Sequence, residues 1–389
     1  MYAYTHQQPD GNRYLTGRGN MPNSQTLDIK LAGVPRWLVA APFKGESLWV
    51  AVLETGAAQA FIVEGGQAVE TRITLGPLPA DAPPILAVAG DEAFLLTNRP
   101  DTAARFSHSV PVGKSGQIAF IEAGGDLVLR KDGFETGRLA VDALPDARLL
   151  VDGQERVLLL TKPSTRYPHG IAGDELEATE ITLLETRPSL KIAERISIPG
   201  QRVLEGISPI WADLNGDGQR EIIVTISDSE NGAQVVVFSE SGERLAEGRG
   251  NRWRHQIAVA PVGLNSELEL TEVLTPHIGG IAGFYRLDGD TLDLVAQQDG
   301  VTSHPIGSRN LDMGLAGDLA GDGQPELVVF DQQFQEVRAL RRTEGGVELA
   351  WQTPVGGKAV TNLASVDVGG GLALGVGRED GVLRVWLAP

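Results

Sequence analysis

The sequence predicts an all-β protein built from repeated four-stranded sheets, and three observations lead to that fold class. From Leu27 to Pro389, short apolar runs rich in Val, Ile, Leu and Trp alternate with Gly, Asp and Pro turns, a texture that favours strands. The 48 glycines are distributed along the chain, as many short strands joined by turns require. No segment has the apolar periodicity of an amphipathic helix.

The apolar runs recur in groups of four, which indicates an internally repeated fold. Two groups match in sequence: ADLNGDGQREIIV begins at Ala212 and GDLAGDGQPELVV begins at Gly317. RWLVAAP, from Arg36, and HQIAVAP, from His255, match more faintly. The predicted groups number seven and start near Arg36, Pro84, Ala147, Ser208, Gln256, Asn310 and Thr361.

A group spacing of roughly 50 to 55 residues suits a four-stranded blade with generous loops. The sequence therefore predicts a single β-propeller of seven blades, and the length of the second group leaves six or eight blades open. The last group supplies only three runs before the chain ends, whereas Thr26–Leu31 is a strand without a group of its own. We expect this strand to complete the last blade, because the pairing hides two bare sheet edges.

The composition limits the partners of the protein. Residues 1–25 are polar and predict an extended N-terminal arm, and residues 26–389 predict the propeller domain. The formal net charge of −18 repels phosphate backbones, so nucleic acid is excluded as a partner, while hard cations are favoured. The chain has no cysteine, which excludes disulfides and thiolate metal sites. No apolar run is long enough for a membrane helix, and no signal peptide is visible.

One acidic turn has the spacing of a calcium-binding loop. In Asp213–Glu221, oxygen-bearing side chains occupy the first, third, fifth and ninth positions, and Gly218 follows the third of them. Calcium takes six to eight oxygen ligands, and this spacing is the one used in EF-hand loops. Here the loop joins two predicted strands. The alternative interpretation is a tight Asp/Gly turn without metal.

The loop and its following strand resemble an FG-GAP/VCBS repeat, as found in bacterial VCBS-repeat proteins and integrin α-subunit propellers. The resemblance covers two groups and implies calcium in the loop between the first two strands of a blade. The ligands that it implies are Asp213, Asn215, Asp217, the Gln219 carbonyl and Glu221. Family loops more often carry Asp at the last position.

A second loop, Asp318–Glu326, departs from this pattern at Ala320, which offers no ligand. We therefore expect weaker binding or an empty site there, with Asp318, Asp322 and Glu326 as the remaining ligands. Calcium is expected to be structural at both loops. Loops of this type need the calcium levels found outside the cytoplasm, so we expect a periplasmic or extracellular location.

Histidine and arginine gather on one predicted face of the disc. Loops between second and third strands, and connections between blades, fall on the face opposite the calcium loops. Five histidines map there, namely His108, His169, His255, His277 and His304. The same segments carry Arg105, Arg166, Arg254, Arg309, Tyr167 and Asn310.

Three chemistries could use this His/Arg face. Imidazoles could bind a transition metal such as zinc or copper, and arginines with histidines could bind an anionic ligand. Acid–base catalysis is the third, and its candidates are Tyr167, His169, His255, His277 and His304. The alternative is that these histidines only form structural hydrogen bonds.

These observations favour an exported, calcium-stabilised propeller that binds an anionic or carbohydrate ligand on the His/Arg face. A lyase or hydrolase acting on an acidic saccharide or ester is the first alternative, and the sequence does not decide whether the protein is an enzyme. A protein–protein interaction scaffold is the second alternative.

Overall fold

The computed structural model describes residues 2–75, 83–96, 102–168, 173–248, 250 and 252–389. Throughout these ranges the regular elements are β-strands, which establishes the all-β class. No helix long and apolar enough to cross a membrane occurs in this part of the chain. Within the described ranges the strands can be grouped into eight successive units, and all but the second are antiparallel meanders.

The first three strands pair with strands that come much later in the chain. They are β1 (Tyr2–Tyr4), β2 (Tyr14–Arg18) and β3 (Thr26–Lys30). Unit 1 contains β4 (Pro35–Phe43), β5 (Glu46–Leu53), β6 (Ala58–Glu64) and β7 (Gln67–Thr71). Unit 2 contains β8 (Thr74–Leu75), β9 (Ile85–Ala89) and β10 (Glu92–Leu96). Unit 3 contains β11 (Val110–Val112), β12 (Gln117–Ile121), β13 (Asp126–Lys131) and β14 (Phe134–Ala140).

The middle of the chain forms three complete units. Unit 4 contains β15 (Leu150–Val151), β16 (Val157–Ser164), β17 (Glu177–Glu185) and β18 (Lys191–Ser197). Unit 5 contains β19 (Val203–Ala212), β20 (Glu221–Asp228), β21 (Gly232–Ser239) and β22 (Arg244–Gly248). Unit 6 contains β23 (Arg254–Ala260), β24 (Glu269–Leu274), β25 (Ile281–Asp288) and β26 (Thr291–Asp299).

The C-terminal part forms the last two units. After β27 (Val301–Thr302), unit 7 contains β28 (Leu315–Asp318), β29 (Glu326–Asp331), β30 (Glu336–Thr343) and β31 (Gly346–Pro354). Unit 8 contains β32 (Ala364–Val368), β33 (Gly371–Arg378) and β34 (Val382–Trp386). Strand β3 completes unit 8 by antiparallel pairing with β34, from Thr26 opposite Trp386 to Lys30 opposite Val382. This pairing is the one expected from the sequence.

The second predicted group divides into two units. The short hairpin of β9 and β10 forms its own sheet, which β1 and β8 extend on its two sides. The meander of unit 3 follows as a separate sheet. The sequence missed this division because β1 lies at the start of the chain and pairs with residues more than eighty positions away.

Burial falls from the second strand of a unit to its fourth. All residues of β20 are buried, whereas β26 and β31 are largely exposed. A strand covered on both faces needs a continuous apolar run, and EIIVTI in β20 is such a run. The units therefore pack face to face, with their second strands in the interior.

Adjacent units share hydrophobic cores, and the last unit packs on the first. One core joins units 5 and 6, another joins units 6 and 7, and a third joins units 7 and 8. A further core combines Leu38 and Trp49 of unit 1 with Val366 and Val385 of unit 8. The Trp49 ring lies against Gly375, where any Cβ would collide with it.

The segment expected as an N-terminal arm is built into the centre of the fold. We call residues 2–21 the N-terminal segment. Its Pro9 and Asp10 carbonyls accept the amides of Val151 and Trp211 at 2.7 and 3.0 Å. Strand β2 then runs parallel to β28. The segment thus contacts the first strands of several units in turn.

Candidate functional site

A cavity of about 350 Å³ lies beside the N-terminal segment, and we call it the central cavity. Residues of units 1, 2 and 5, the N-terminal segment and the connections before units 3, 4, 7 and 8 contribute to its wall. Its polar and aromatic lining residues are His6, Arg36, Trp37, Glu54, Phe106, His108, Asp146, Arg148, Ser308, Arg309 and Asn310. Of the sequence-predicted site residues, His108, Arg309 and Asn310 are therefore brought together here.

A buried ionic group lies next to this cavity. Asp312 accepts hydrogen bonds from Arg148 at 2.9 and 2.7 Å, and Arg13 approaches it at 2.6 Å. The His6 Nε2 atom is 3.5 Å from the same carboxylate. Burial by itself would raise the pKa of Asp312, but the guanidiniums of Arg148 and Arg13 outweigh it and hold that pKa well below its ordinary value. Asp312 is therefore ionised and joins the N-terminal segment to units 4 and 7.

The two histidines of the central cavity are neutral at physiological pH. The His108 Nε2 atom donates to Gln7 Oε1 at 3.0 Å, and Gln7 in turn donates to the Leu149 carbonyl. The His6 and His108 rings are 4.8 Å apart. Burial lowers the pKa of His108 to about 3 and that of His6 well below its ordinary value. Positive charge in the cavity must therefore come from arginine.

Arg309 is held by carboxylates and by an aromatic ring. It donates to Asp146 at 2.7 Å and to Asp174 at 2.6 Å, and its guanidinium lies 3.9 Å from the centre of the Phe106 ring. Arg36 differs, because it is exposed and forms no ion pair with any residue that the structure describes. Arg36 is thus the cation of this wall that is available to a ligand.

Three other predicted histidines gather around one tryptophan. We call Trp253, His255, His277 and His304 the Trp–His cluster. The His277 ring stacks on Trp253 at 5.2 Å, and the His255 ring lies 5.9 Å from the same indole. The His304 ring lies 4.9 Å from His277 and 5.8 Å from His255. The structure therefore brings these three imidazoles together.

Each ring in the Trp–His cluster has one fixed nitrogen. His277 Nδ1 lies 3.1 Å from the His304 carbonyl, and His304 Nε2 lies 2.6 Å from the Ser308 carbonyl. His255 Nδ1 contacts Ser303 Oγ at 2.7 Å. Burial lowers the pKa of His304 to about 4 and also lowers the pKa values of His255 and His277. All three rings are neutral at pH 7.

Four other predicted site residues do not line the central cavity, and a fifth is outside the described residues. Arg254 is buried against Glu272 and Tyr285 of its own unit, at 2.5 and 2.7 Å. Arg166 donates to the Ile198 carbonyl, which ties it to the entry of unit 5. Arg105 and Tyr167 do not line the central cavity, and His169 lies in the range 169–172, which the structure does not describe.

The first calcium-type loop, Asp213–Glu221, holds its own backbone through its side-chain oxygens. Asp213 accepts two amide N–H groups of the loop at 2.7 and 2.9 Å. The Asn215 side-chain amide donates to Asp217 Oδ2 and to Glu221 Oε1, both at 3.2 Å. This NH₂ group occupies the space between two carboxylates, so a cation could enter only if Asn215 rotated.

Among the described residues, no cationic side chain compensates the acidic cluster of this loop. The Gln219 backbone N–H donates to Asp217 Oδ1 at 2.7 Å. Burial raises the pKa of Glu221, and the nearby carboxylates of Asp213 and Asp217 raise it further. Ser239 is the residue directly opposite Glu221 on the neighbouring strand. The loop therefore carries clustered negative charge that a bound cation would neutralise.

The second loop, Asp318–Glu326, has its own cation. Arg341 donates to Glu326 Oε1 at 2.6 Å and pairs with Asp322 Oδ2 at 2.9 Å. Asp318 accepts two loop amides, as Asp213 does in the first loop. The Arg341 guanidinium lies between the carboxylates that a calcium ion would need. It supplies the positive charge that the first loop lacks.

Sequence reasoning missed the residues that join the N-terminal segment to the cavity. His6, Arg13, Arg148 and Asp312 belong to distant parts of the chain and share no motif. The sole signal was that His6 is the one histidine of the predicted arm. In the part of the chain that the structure describes, no group of three or more His, Asp or Glu side chains converges as a metal site.

Comparison with known proteins identifies no family for this chain. No protein-family model matches it, and no curated protein matches it. Among solved structures, it is similar to the BBS1N chain in a crystal structure of BBS1N in complex with ARL6DN, soaked with mercury. The alignment covers 97% of each chain at 10% identity, with a TM-score of 0.48. A likeness at this level carries no argument about function.

Proposed function

We propose that the eight units close into a single β-propeller, with the N-terminal segment along its centre. The shared core of units 8 and 1 supports closure, because it joins the two ends of the repeat array. The pairing of β3 with β34 supports it as well, since it ties the N-terminal part of the chain to the last unit. Eight blades are one of the alternatives that the sequence leaves open.

We further propose that the protein binds an anionic carbohydrate in the central cavity. One observation carries this proposal: an arginine without an ion pair among the described residues, Arg36, shares a cavity of about 350 Å³ with the aromatic rings of Trp37 and Phe106. Aromatic faces pack on sugar rings, and a guanidinium binds carboxylate through two parallel hydrogen bonds. Neutral His108 and the Asn310 amide supply the polar groups that hydroxyls require.

Calcium at the first loop is a structural part of this proposal. The resemblance to FG-GAP/VCBS loops and the uncompensated carboxylates of Asp213, Asp217 and Glu221 support it. At the second loop, Arg341 takes the place of the ion. Calcium would contribute charge neutralisation at a turn, away from the central cavity. An extracellular or periplasmic location follows from the same calcium requirement.

The ligand proposal is tested by isothermal titration with oligoglucuronate and with the same oligosaccharide after reduction of its carboxylates to alcohols. The native protein is expected to bind the acidic form at least tenfold more tightly. Arg36→Ala should remove most of that difference, since a charge-assisted hydrogen bond is worth about 1.5–3 kcal/mol. Arg72→Ala is the matched control, because Arg72 does not line the cavity.

Equal affinity for the acidic and reduced oligosaccharides, or undiminished binding by Arg36→Ala, would contradict the proposal. Mass spectrometry of the titrated sample adds a further outcome. Shortened or unsaturated products would show that the protein is a hydrolase or a lyase and not only a binding protein.

A further inference from the structure

We propose that His277 and His304 together bind one transition-metal ion of the copper or zinc class, beside Trp253. The site lies in the Trp–His cluster and is separate from the central cavity, which neither histidine lines. It is also separate from the calcium-type loops. The proposal therefore does not depend on carbohydrate binding or on calcium.

The hydrogen bonds of the two rings determine their tautomers. A carbonyl oxygen can only accept, so His277 Nδ1 and His304 Nε2 must both carry their protons. The remaining nitrogens, His277 Nε2 and His304 Nδ1, are then unprotonated and present lone pairs. Metal-bound histidines in proteins almost always have this arrangement, with the second ring N–H donated to a carbonyl or carboxylate.

Both lone pairs lack a hydrogen-bond donor within the part of the chain that the structure describes. His277 Nε2 and His304 Nδ1 are buried atoms without any such bond, and His304 is 1% exposed as a residue. A buried acceptor without a donor costs free energy. A bound metal ion would accept both lone pairs at once and would remove this cost.

The ring separation fits one shared ion. A metal–nitrogen distance of about 2.0–2.1 Å and a tetrahedral angle at the metal place two imidazole centres about 5 Å apart. The His277 and His304 centres are 4.9 Å apart.

The remaining coordination positions set the class of metal. His255 lies 5.8 Å from His304 and also lines a smaller cavity of about 40 Å³. Two imidazoles leave the remaining coordination positions for water. Imidazole ligands suit copper and zinc, and the absence of cysteine from the chain excludes a thiolate-rich site.

The test uses the full-length protein after removal of metals with a chelator. Zn²⁺ and Cu²⁺ are titrated separately by calorimetry in a buffer that contains excess Ca²⁺, which saturates the loops. One equivalent of either ion is expected to bind, and His277→Ala should weaken that binding at least tenfold. His277 lies in a loop at the edge of the cluster, so this variant is expected to fold. Ile278→Ala, next to it on the same loop and 79% exposed, is the matched control.

Tryptophan fluorescence provides a second measurement. Bound Cu²⁺ is expected to quench the emission of Trp253, whose indole lies 5.2 Å from the His277 ring and 5.3 Å from the His304 ring. Trp253→Phe should remove the quenchable fraction and leave the emission of the other tryptophans. Binding that His277→Ala leaves intact, or no stoichiometric binding of either ion, overturns the proposal.

Discussion

Burial is the largest cause of the shifted pKa values of the described histidines and of Glu177. The five histidines that the structure describes all have lowered pKa values, with burial as the largest cause. Glu177 is the opposite case: burial, and then the carboxylates of Asp146 and Asp174, raise its pKa to about 8, although the Gly206 amide donates to it at 3.2 Å. At pH 7 the five described imidazoles are therefore neutral, and the Glu177 carboxyl is protonated.

Glu177→Gln is expected to stabilise the protein at neutral pH. In the unfolded chain the glutamate loses its proton near the ordinary pKa of 4.5, while in the folded protein it keeps the proton up to a pKa of about 8. The folded state therefore binds more protons between these values, and stability falls as pH rises through that window. Glutamine removes this cost, which is of the order of 3 kcal/mol at pH 7. Urea unfolding of both proteins from pH 4.5 to pH 8 measures it.

The shape of the pH dependence is the internal control. The stability difference between Glu177→Gln and the native protein should close towards pH 4.5 and grow towards pH 8. A difference that is constant with pH would show that Glu177 is ionised in the folded protein. Lower stability of the variant at every pH would show that its carboxylate has an essential partner.

The two calcium-type loops differ in whether an arginine on the adjacent strand compensates their carboxylates. Their sequences differ at one ligand position, where Asn215 corresponds to Ala320. The residue opposite the loop glutamate on the adjacent strand has the larger effect on the charge of the loop. In unit 7 Arg341 neutralises Glu326, and in unit 6 Arg286 donates to Glu269 at 2.6 Å. In unit 5 the residue opposite Glu221 is Ser239. Three equivalent turns thus carry the same glutamate, and the turn without an arginine is the one expected to need calcium.

Calcium is expected to raise the melting temperature of the native protein, and chelator to lower it. Asp217→Ala should abolish this response, because it removes a carboxylate from the first loop. Ser239→Arg should also abolish the response, because the new guanidinium would compensate the loop without calcium. In chelator, this variant should melt near the temperature of the calcium-bound native protein. Differential scanning fluorimetry with and without calcium measures all three proteins.

Asp322→Ala in the second loop is the matched control for calcium, since Arg341 already compensates that loop. The calcium response should survive in this variant. A native melting temperature that is the same in calcium and in chelator would contradict the calcium proposal. Loss of the response in Asp322→Ala would instead place the ion at the second loop.

At the scale of the whole molecule, the N-terminal segment holds the units together from the inside. Its carbonyls accept amides from units 4 and 5, and Arg13 shares Asp312 with Arg148. Strand β1 extends the sheet of unit 2, which has few strands of its own. The first residues of the chain therefore act as a structural core element for several units.

Removal of residues 1–13 is expected to destabilise the protein by several kcal/mol. The truncation removes one of the two arginines that pair with buried Asp312 and removes backbone hydrogen bonds worth about 1 kcal/mol each. Denaturant unfolding measures the loss. A synthetic peptide of residues 1–21 should restore part of it, and a scrambled peptide of the same composition should not. A truncated protein as stable as the full-length chain would contradict this role.

Features that depend on neighbouring residues could be predicted from the sequence. Strand β20 follows from its continuous apolar run, and the turn before it follows from the oxygen and glycine spacing of Asp213–Glu221. The expected partner of β3 was also correct, because a lone strand and an incomplete group of strands leave complementary edges.

The contacts between side chains from distant parts of the chain could not be predicted from the sequence. Asp312 meets Arg13 and Arg148 from positions separated by more than 160 residues, and no local pattern encodes such a pairing. Arg254 was expected on the His/Arg face, yet its charge is satisfied by Glu272 inside its own unit. Strand register places Ser239 opposite Glu221 and brings Arg341 to Glu326, so it decides which glutamate meets a cation. Local sequence specifies strands and turns through backbone preferences, whereas these ionic contacts depend on how distant units pack.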